Sequence, residues 1–182
     1  MRKQILGLVA LFGLSSAPLV AQVDYNNEFR HNEVKVNLAG IFYTTLEAQY
    51  DYILRQDLSV GVAGAFNIVR GDNLYVYQVT PNVRWFFGGN MESAQKYGAG
   101  FFVELNGSVF GHSWESVAAK ISGENPGETE IRTGAGLGLA VGWKYLSKGN
   151  WVGEVYIGAG KNFVPDQVPV YPRGGVSIGY RF

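Results

Sequence analysis

From Glu33 onward, apolar and polar positions alternate with a period of two, the pattern of a strand whose two faces meet different surroundings. Leu58, Val60, Val62, Gly64, Phe66 and Ile68 alternate with Ser59, Gly61, Ala63, Ala65 and Asn67. Tyr75, Tyr77, Val79, Val83, Trp85 and Phe87 alternate with Gln78, Thr80, Asn82 and Arg84. The same rhythm runs through Phe101, Val103, Leu105 and Val109, through Leu137 to Tyr145, through Val155 and Ile157, and through Val176 to Phe182. The pattern predicts eight strands, over residues 33–42, 43–53, 57–69, 73–87, 98–112, 131–146, 151–162 and 168–182. No stretch after the first 21 residues carries an amphipathic helical period.

Which face points inward decides what kind of protein this is. One face carries Leu, Val, Phe, Trp and Tyr; the other carries glycine, small polar residues and charges. A ring of eight strands has no room inside for all the bulky apolar side chains, so they face out. Only lipid tolerates such an exterior. The fold expected is all-β: an eight-stranded antiparallel up-and-down transmembrane β-barrel, closed so that no strand edge is left unpaired. Tyr52, Trp85, Phe87, Trp143, Tyr145, Trp151, Tyr180 and Phe182 fall at strand ends that the meander brings to one rim, as an aromatic girdle does. Two connections at that rim, where the sequence is clear, are short, Leu54-Arg55-Gln56 and Ser147-Lys148-Gly149-Asn150, whereas the opposite rim carries the longest loop, over 113–130. Short turns face the periplasm and long loops face outward in this architecture. Pro81 removes a ladder hydrogen bond in strand four, and a bulge is expected there.

The first 21 residues read as a secretory signal peptide. Arg2 and Lys3 form the basic start, Ile5 to Leu14 the apolar stretch, and cleavage is expected after Ala21. Residues 22–32 then form a periplasmic lead-in, and 33–182 the barrel. Removing the signal takes two bases and no acid from a balance of 15 and 15, leaving 13 bases against 15 acids. Such a balance gives no electrostatic footprint for nucleic acid. The absence of cysteine removes any disulfide framework, thiolate metal site or cysteine nucleophile. No cofactor is called for.

The run Glu33-Val34-Lys35-Val36-Asn37-Leu38, then Tyr50-Asp51-Tyr52-Ile53-Leu54, then Leu58 to Gly64, resembles a family of small Gram-negative outer-membrane barrels of unknown function. Thr80 to Phe87 and Val155 to Gly160 continue the likeness in the same order, over nearly all of the chain after the signal. The family usually carries Glu where this chain has Asp51, which shortens any inward ion pair. The architecture is similar to the OmpX and OmpA barrels. The resemblance implies a location in the outer membrane and no reaction.

The inward positions collect Glu47, Asp51, Glu104 and Glu154 against Arg84, Lys144, Arg173 and Arg181. Four acids facing four bases predict an ion-pair network that fills the lumen and fixes register rather than a conducting path. Gly136, Gly138 and Gly142 of strand six are expected to make room for long Arg, Tyr and Phe side chains opposite. The terminal Tyr180 and Phe182 resemble the signal by which the barrel assembly machinery recognises its clients.

Motifs that could carry chemistry are weak. Gly134-Ala135-Gly136-Leu137-Gly138 and Gly158-Ala159-Gly160-Lys161 lack the third glycine and the Ser or Thr of nucleotide loops, and no helix follows either. Arg70-Gly71-Asp72 falls on a hairpin turn. His112-Ser113-Trp114-Glu115 brings a histidine, a hydroxyl and a carboxylate to the outer end of strand five, the ingredients of a lipid A-modifying hydrolase. Adjacent strand residues face opposite sides, however, so His112 and Ser113 are poorly placed for a triad. His31 has no partner cluster for a metal. The function expected is therefore non-enzymatic, structural or surface-interacting. Its partners would be outer-membrane lipid and lipopolysaccharide, the assembly machinery during insertion, and a surface partner at the acidic loop 113–130. The alternatives are the lipid A-modifying enzyme and a soluble periplasmic barrel of lipocalin type.

Overall fold

A computed structural model describes residues 30–42, 44–68, 76–87, 97–113, 131–164 and 169–182. The expected signal peptide, most of the lead-in, the Arg70-Gly71-Asp72 turn and the loop at 114–130 lie outside the described residues. The elements are β1 (Asn32–Asn37), α1 (Ala39–Phe42), β2 (Thr45–Arg55), β3 (Leu58–Asn67), β4 (Tyr77–Phe87), β5 (Gly100–Ser113), β6 (Ile131–Leu146), β7 (Trp151–Asn162) and β8 (Val170–Arg181). Each strand pairs antiparallel with the next, and β1 pairs with β8 to close the barrel.

Closure requires a stagger, and the register displays it. From Glu33 the pairing leads through Asp51, Gly61, Asn82, Asn106, Gly138 and Gly160 to Tyr171 on β8, whereas Glu33 itself pairs with Arg181, ten residues further along that strand. A stagger of that size tilts eight strands by roughly 40° to the barrel axis. The interior is then just wide enough to be filled by side chains.

Alternation divides the two faces as the period-two pattern requires. Leu105, Leu137, Leu139, Val155, Ile157 and Val176 stand exposed on the outside. Charged and amide side chains, with Phe86, Phe102, Phe110, Tyr156 and Tyr171, are buried inside. The interior has two strands of small residues. On β3, Ser59, Gly61, Ala63 and Ala65 face inward, and a Cβ at Gly61 would run into the Asp51 carboxylate. On β6, Gly136 and Gly138 sit under the Tyr171 ring, and Gly142 sits between Phe102 and Tyr156. These glycines give up side-chain volume so that aromatic rings from other strands can fill the lumen.

Four local readings are corrected. β1 ends at Asn37 rather than running to residue 42, because the Asn37 Oδ1 accepts from the Ala39 N–H at 3.0 Å and the chain turns into the short α1. β2 correspondingly begins at Thr45, just after Thr44 at φ 54°. The β2–β3 connection turns at Gln56 and Asp57, with a register shift between Ile53 and Arg55, so Arg55 belongs to the strand. Pro81 needs no bulge: it pairs with Val62 of β3, and the β4–β5 register is the same at Val79↔Val109 and Asn82↔Asn106 on either side of it. Pro81 points outward, and the ladder is interrupted only on the β5 side.

The aromatic residues of the girdle lie at the rim that also holds Arg30 and Phe182. Trp85 and Phe87 stack at 6.1 Å, Phe87 meets Phe101 at 6.0 Å, and Trp151 takes Tyr180 edge-on at 5.7 Å. At the same rim His31 stacks on Tyr52 at 5.4 Å, and its Nδ1 lies 2.6 Å from the Ile53 carbonyl.

The close approach at Gly160 yields a test of lumen packing. A Cβ there would overlap the Tyr171 ring, so Gly160→Ala is expected to destabilise the barrel by about 1–3 kcal/mol through overpacking. Urea unfolding in detergent micelles measures it. Gly160→Ala combined with Tyr171→Leu should cost less than the sum of the two single changes.

Candidate functional site

The lumen holds the only extensive array of charged groups among the described residues. It starts on β1, where Glu33, Lys35 and Asn37 face inward while Val34, Val36 and Leu38 face out. β2 adds Glu47, Gln49 and Asp51; β4 adds Arg84; β5 adds Glu104 and Asn106. Lys144 comes from β6, Glu154 from β7, and Arg173 and Arg181 from β8. Five acids face five bases.

Their contacts form one continuous network along the barrel axis. At the rim of the chain termini, Arg181 binds Glu33 through Nε at 2.7 Å and through Nη2, and also donates to the carbonyls of Tyr97 and Gly98. Glu33 passes the contact to Lys144 at 2.8 Å. Lys35 lies 2.7 Å from both Asp51 and Glu154. Arg84 is the hub. Its Nη1 donates to Asp51 at 3.1 Å and to Glu154 at 2.9 Å, and its Nε donates to Glu104 at 2.7 Å. Glu104 in turn accepts from Arg173 at 2.5 Å, and Arg173 reaches Glu47 at 3.5 Å. Amides and hydroxyls extend the network: Gln49 and Asn106 donate to Asp51 and Glu104, and the hydroxyls of Tyr156 and Tyr171 donate to Glu47 and to Asn106.

Aromatic rings pack against the cations. The Arg84 guanidinium lies 4.7 Å from the Phe102 ring centre, Lys144 Nζ 4.7 Å from that of Phe86, and Arg173 5.1 Å from that of Tyr156. The side chains of Lys35, Asp51, Arg84, Glu104, Lys144 and Glu154 have no solvent exposure. A sealed, charge-balanced and hydrogen-bonded array of this kind crosslinks strands.

All eight charged residues proposed from sequence face the lumen: Glu47, Asp51, Glu104 and Glu154, with Arg84, Lys144, Arg173 and Arg181. Asp51, despite its short side chain, meets three bases, Lys35, Arg84 and Lys144. Sequence reasoning missed Glu33 and Lys35, although their alternation with Val34 and Val36 was the signal that identified the others. Tyr180 and Phe182 lie at the girdle rim on either side of Arg181, outside the network. His112 and Ser113 are successive residues of β5, paired with Arg132 and Ile131, while Trp114 and Glu115 lie outside the described residues. The glycines at 134–138 and 158–160 are strand residues of β6 and β7, so neither run is a nucleotide loop.

A family described as a protein of unknown function, DUF3575, matches residues 13–174. The chain belongs to this family. No curated protein matches it. Among solved structures, the DUF3575 barrel is similar to the N-terminal β-barrel domain of Pseudomonas aeruginosa OprF, with a TM-score of 0.59 and 11% identity over 84% of this chain and 98% of that one. The outer membrane protein Ail of Yersinia pestis also matches, at a TM-score of 0.39 and 12% identity over 85% of this chain and all of that one. The OprF match and the closed ring of eight strands give the DUF3575 chain the fold of a small outer-membrane barrel.

Arg84 contacts carboxylates from three other strands, which sets the size of the expected effect of its loss. Arg84→Ala leaves Asp51, Glu104 and Glu154 short of a countercharge and should destabilise the barrel by about 3–5 kcal/mol. Arg55→Ala, which removes only an exposed pair with Asp57 at 3.6 Å, should leave the unfolding midpoint unchanged. Tryptophan fluorescence during urea unfolding distinguishes the two.

Proposed function

We propose that the chain is a Gram-negative outer-membrane barrel, exported by a cleavable signal peptide, with a lumen plugged by its own side chains and a structural or surface-interaction role without catalysis. The distribution of polarity carries this reading. The outward face of the strands presents Leu, Ile, Val and aromatic side chains, many of them exposed, while the charges are sealed inside. Water would penalise that exterior heavily, and a hydrocarbon environment removes the penalty. A soluble lipocalin-type barrel needs the opposite arrangement, an apolar cavity and a charged outside. The aromatic girdle supports the same environment, and the tight turn at Gln56 and Asp57 on its rim orients that rim to the periplasmic side and the 113–130 loop to the cell surface. Partners on this reading are outer-membrane lipid, the assembly machinery during insertion, and a surface ligand of that acidic loop.

Electrophoretic mobility tests the location and the architecture together. Outer-membrane fractions run in SDS with and without boiling should give a band that shifts on heating, because a closed barrel with every strand paired resists detergent. Recovery in the soluble periplasm with no shift would overturn the reading. Lipid A mass spectra from expressing and deletion strains test the absence of catalysis. They should be identical, and an acyl change abolished by His112→Ala would replace the non-enzymatic role with a hydrolase.

A further inference from the structure

Away from the girdle rim, the outward face of the eight strands carries a single charged side chain among the described residues, Lys161. It is exposed and is the last residue but one of β7, at the rim opposite the aromatic girdle. No ion pair of Lys161 is formed among the described residues. It pairs across the sheet with Leu137 of β6 and Val170 of β8, neither of which offers a countercharge.

Below Lys161 the barrel wall is indented. Ala159 is a small outward residue between the larger Ile157 and Lys161 of its own strand, and it pairs with Leu139 on β6. The result is a groove of about 460 Å³ with Ala159 as its floor, bounded by Leu137, Leu139, Pro169 and Val170, with Lys161 at one end. A lysine on a lipid-facing strand is tolerated near the interface, where its ammonium reaches the headgroup layer and its stem stays with the hydrocarbon. The groove is therefore an apolar trough that ends in a cation at headgroup depth. An acyl chain ending in an anionic headgroup has the same layout.

We propose that this groove binds an outer-leaflet lipid A molecule, one acyl chain lying over Ala159 between Leu139 and Val170 and a glucosamine phosphate accepting from the Lys161 ammonium. The inference rests on the outer-membrane reading and on its orientation, which puts the Lys161 rim in the leaflet where phosphorylated glucosamine lipid resides. Charge complementarity selects the occupant. A zwitterionic phospholipid carries its own cation beside the phosphate, whereas lipid A presents phosphate without one.

Native mass spectrometry of the detergent-refolded full-length mature barrel, with bis-phosphorylated lipid A added, tests the site. Each variant is first checked for the heat-dependent mobility shift. The wild type should retain one lipid A, Lys161→Ala should retain it about tenfold less, the loss of one charge-assisted hydrogen bond, and Lys161→Arg should restore it. Ala159→Leu, which fills the groove and leaves the charge, should also lower retention. Equal retention by Lys161→Ala, or equal retention of phosphatidylethanolamine by the wild type, would overturn the site and reduce Lys161 to an interfacial anchor. A barrel that shifts on heating yet binds no lipid A overturns the site and leaves the outer-membrane reading standing. A chain that never shows the shift overturns that reading, and the lipid site with it.

Discussion

A charge sealed away from water inside a narrow barrel has to find its countercharge on another strand, and much of the interior follows from that requirement. Seven of the eight strands supply the ten charges, and no strand satisfies its own. Burying an ion costs several kcal/mol unless attraction and hydrogen bonds offset it. Glu33, Asp51, Glu104 and Glu154 therefore each meet two or more cations, and the network joins them into one body from Arg181 to Glu47. The specificity of such an array lies in register. A one-residue slip of any strand would carry its charges to the lipid face.

The remaining lumen residues fit around the network by size. The ten-residue stagger fixes the bore, and the long arginines and aromatic rings need more of it than eight average side chains would leave. β3 and β6 yield that space with Ser59, Gly61, Ala63, Gly136, Gly138 and Gly142. Tyr156 and Tyr171 then serve two purposes. Their rings pack against Arg173 and Phe110, and their hydroxyls donate to Glu47 and Asn106.

Much of this was legible in the sequence because a strand with a lipid face and a charged face has the sharpest possible alternation. β6 and β7 begin and end at the residues the period predicts, Ile131–Leu146 and Trp151–Asn162. The failures occur where alternation stops being informative. Leu38, Ile41 and Phe42 are apolar enough to prolong a strand, but the Asn37 side chain caps the turn that ends it. Pro81 looked like a defect because sequence shows the lost N–H and not the direction in which it would have pointed. Glu33 and Lys35 are the exception, since they alternate with Val34 and Val36 and were readable by the same period. The pairwise contacts were not readable at all, since which acid meets which base depends on the stagger, and the stagger depends on every register in the ring.

The position of the seam has a consequence for assembly. The first and last strands bear Glu33, Lys35, Arg173 and Arg181, and the pair between Glu33 and Arg181 bridges the line where β1 meets β8. Until those strands meet, Arg181 lacks its carboxylate, and Lys35 stands apart from Glu154 on the far side of the opening. An unclosed sheet thus carries uncompensated ions that hydrocarbon rejects and water accepts. The chain is held at the aqueous boundary while it is still open, and the step that zips its two ends together is also the step that dries the bore and makes it compatible with lipid.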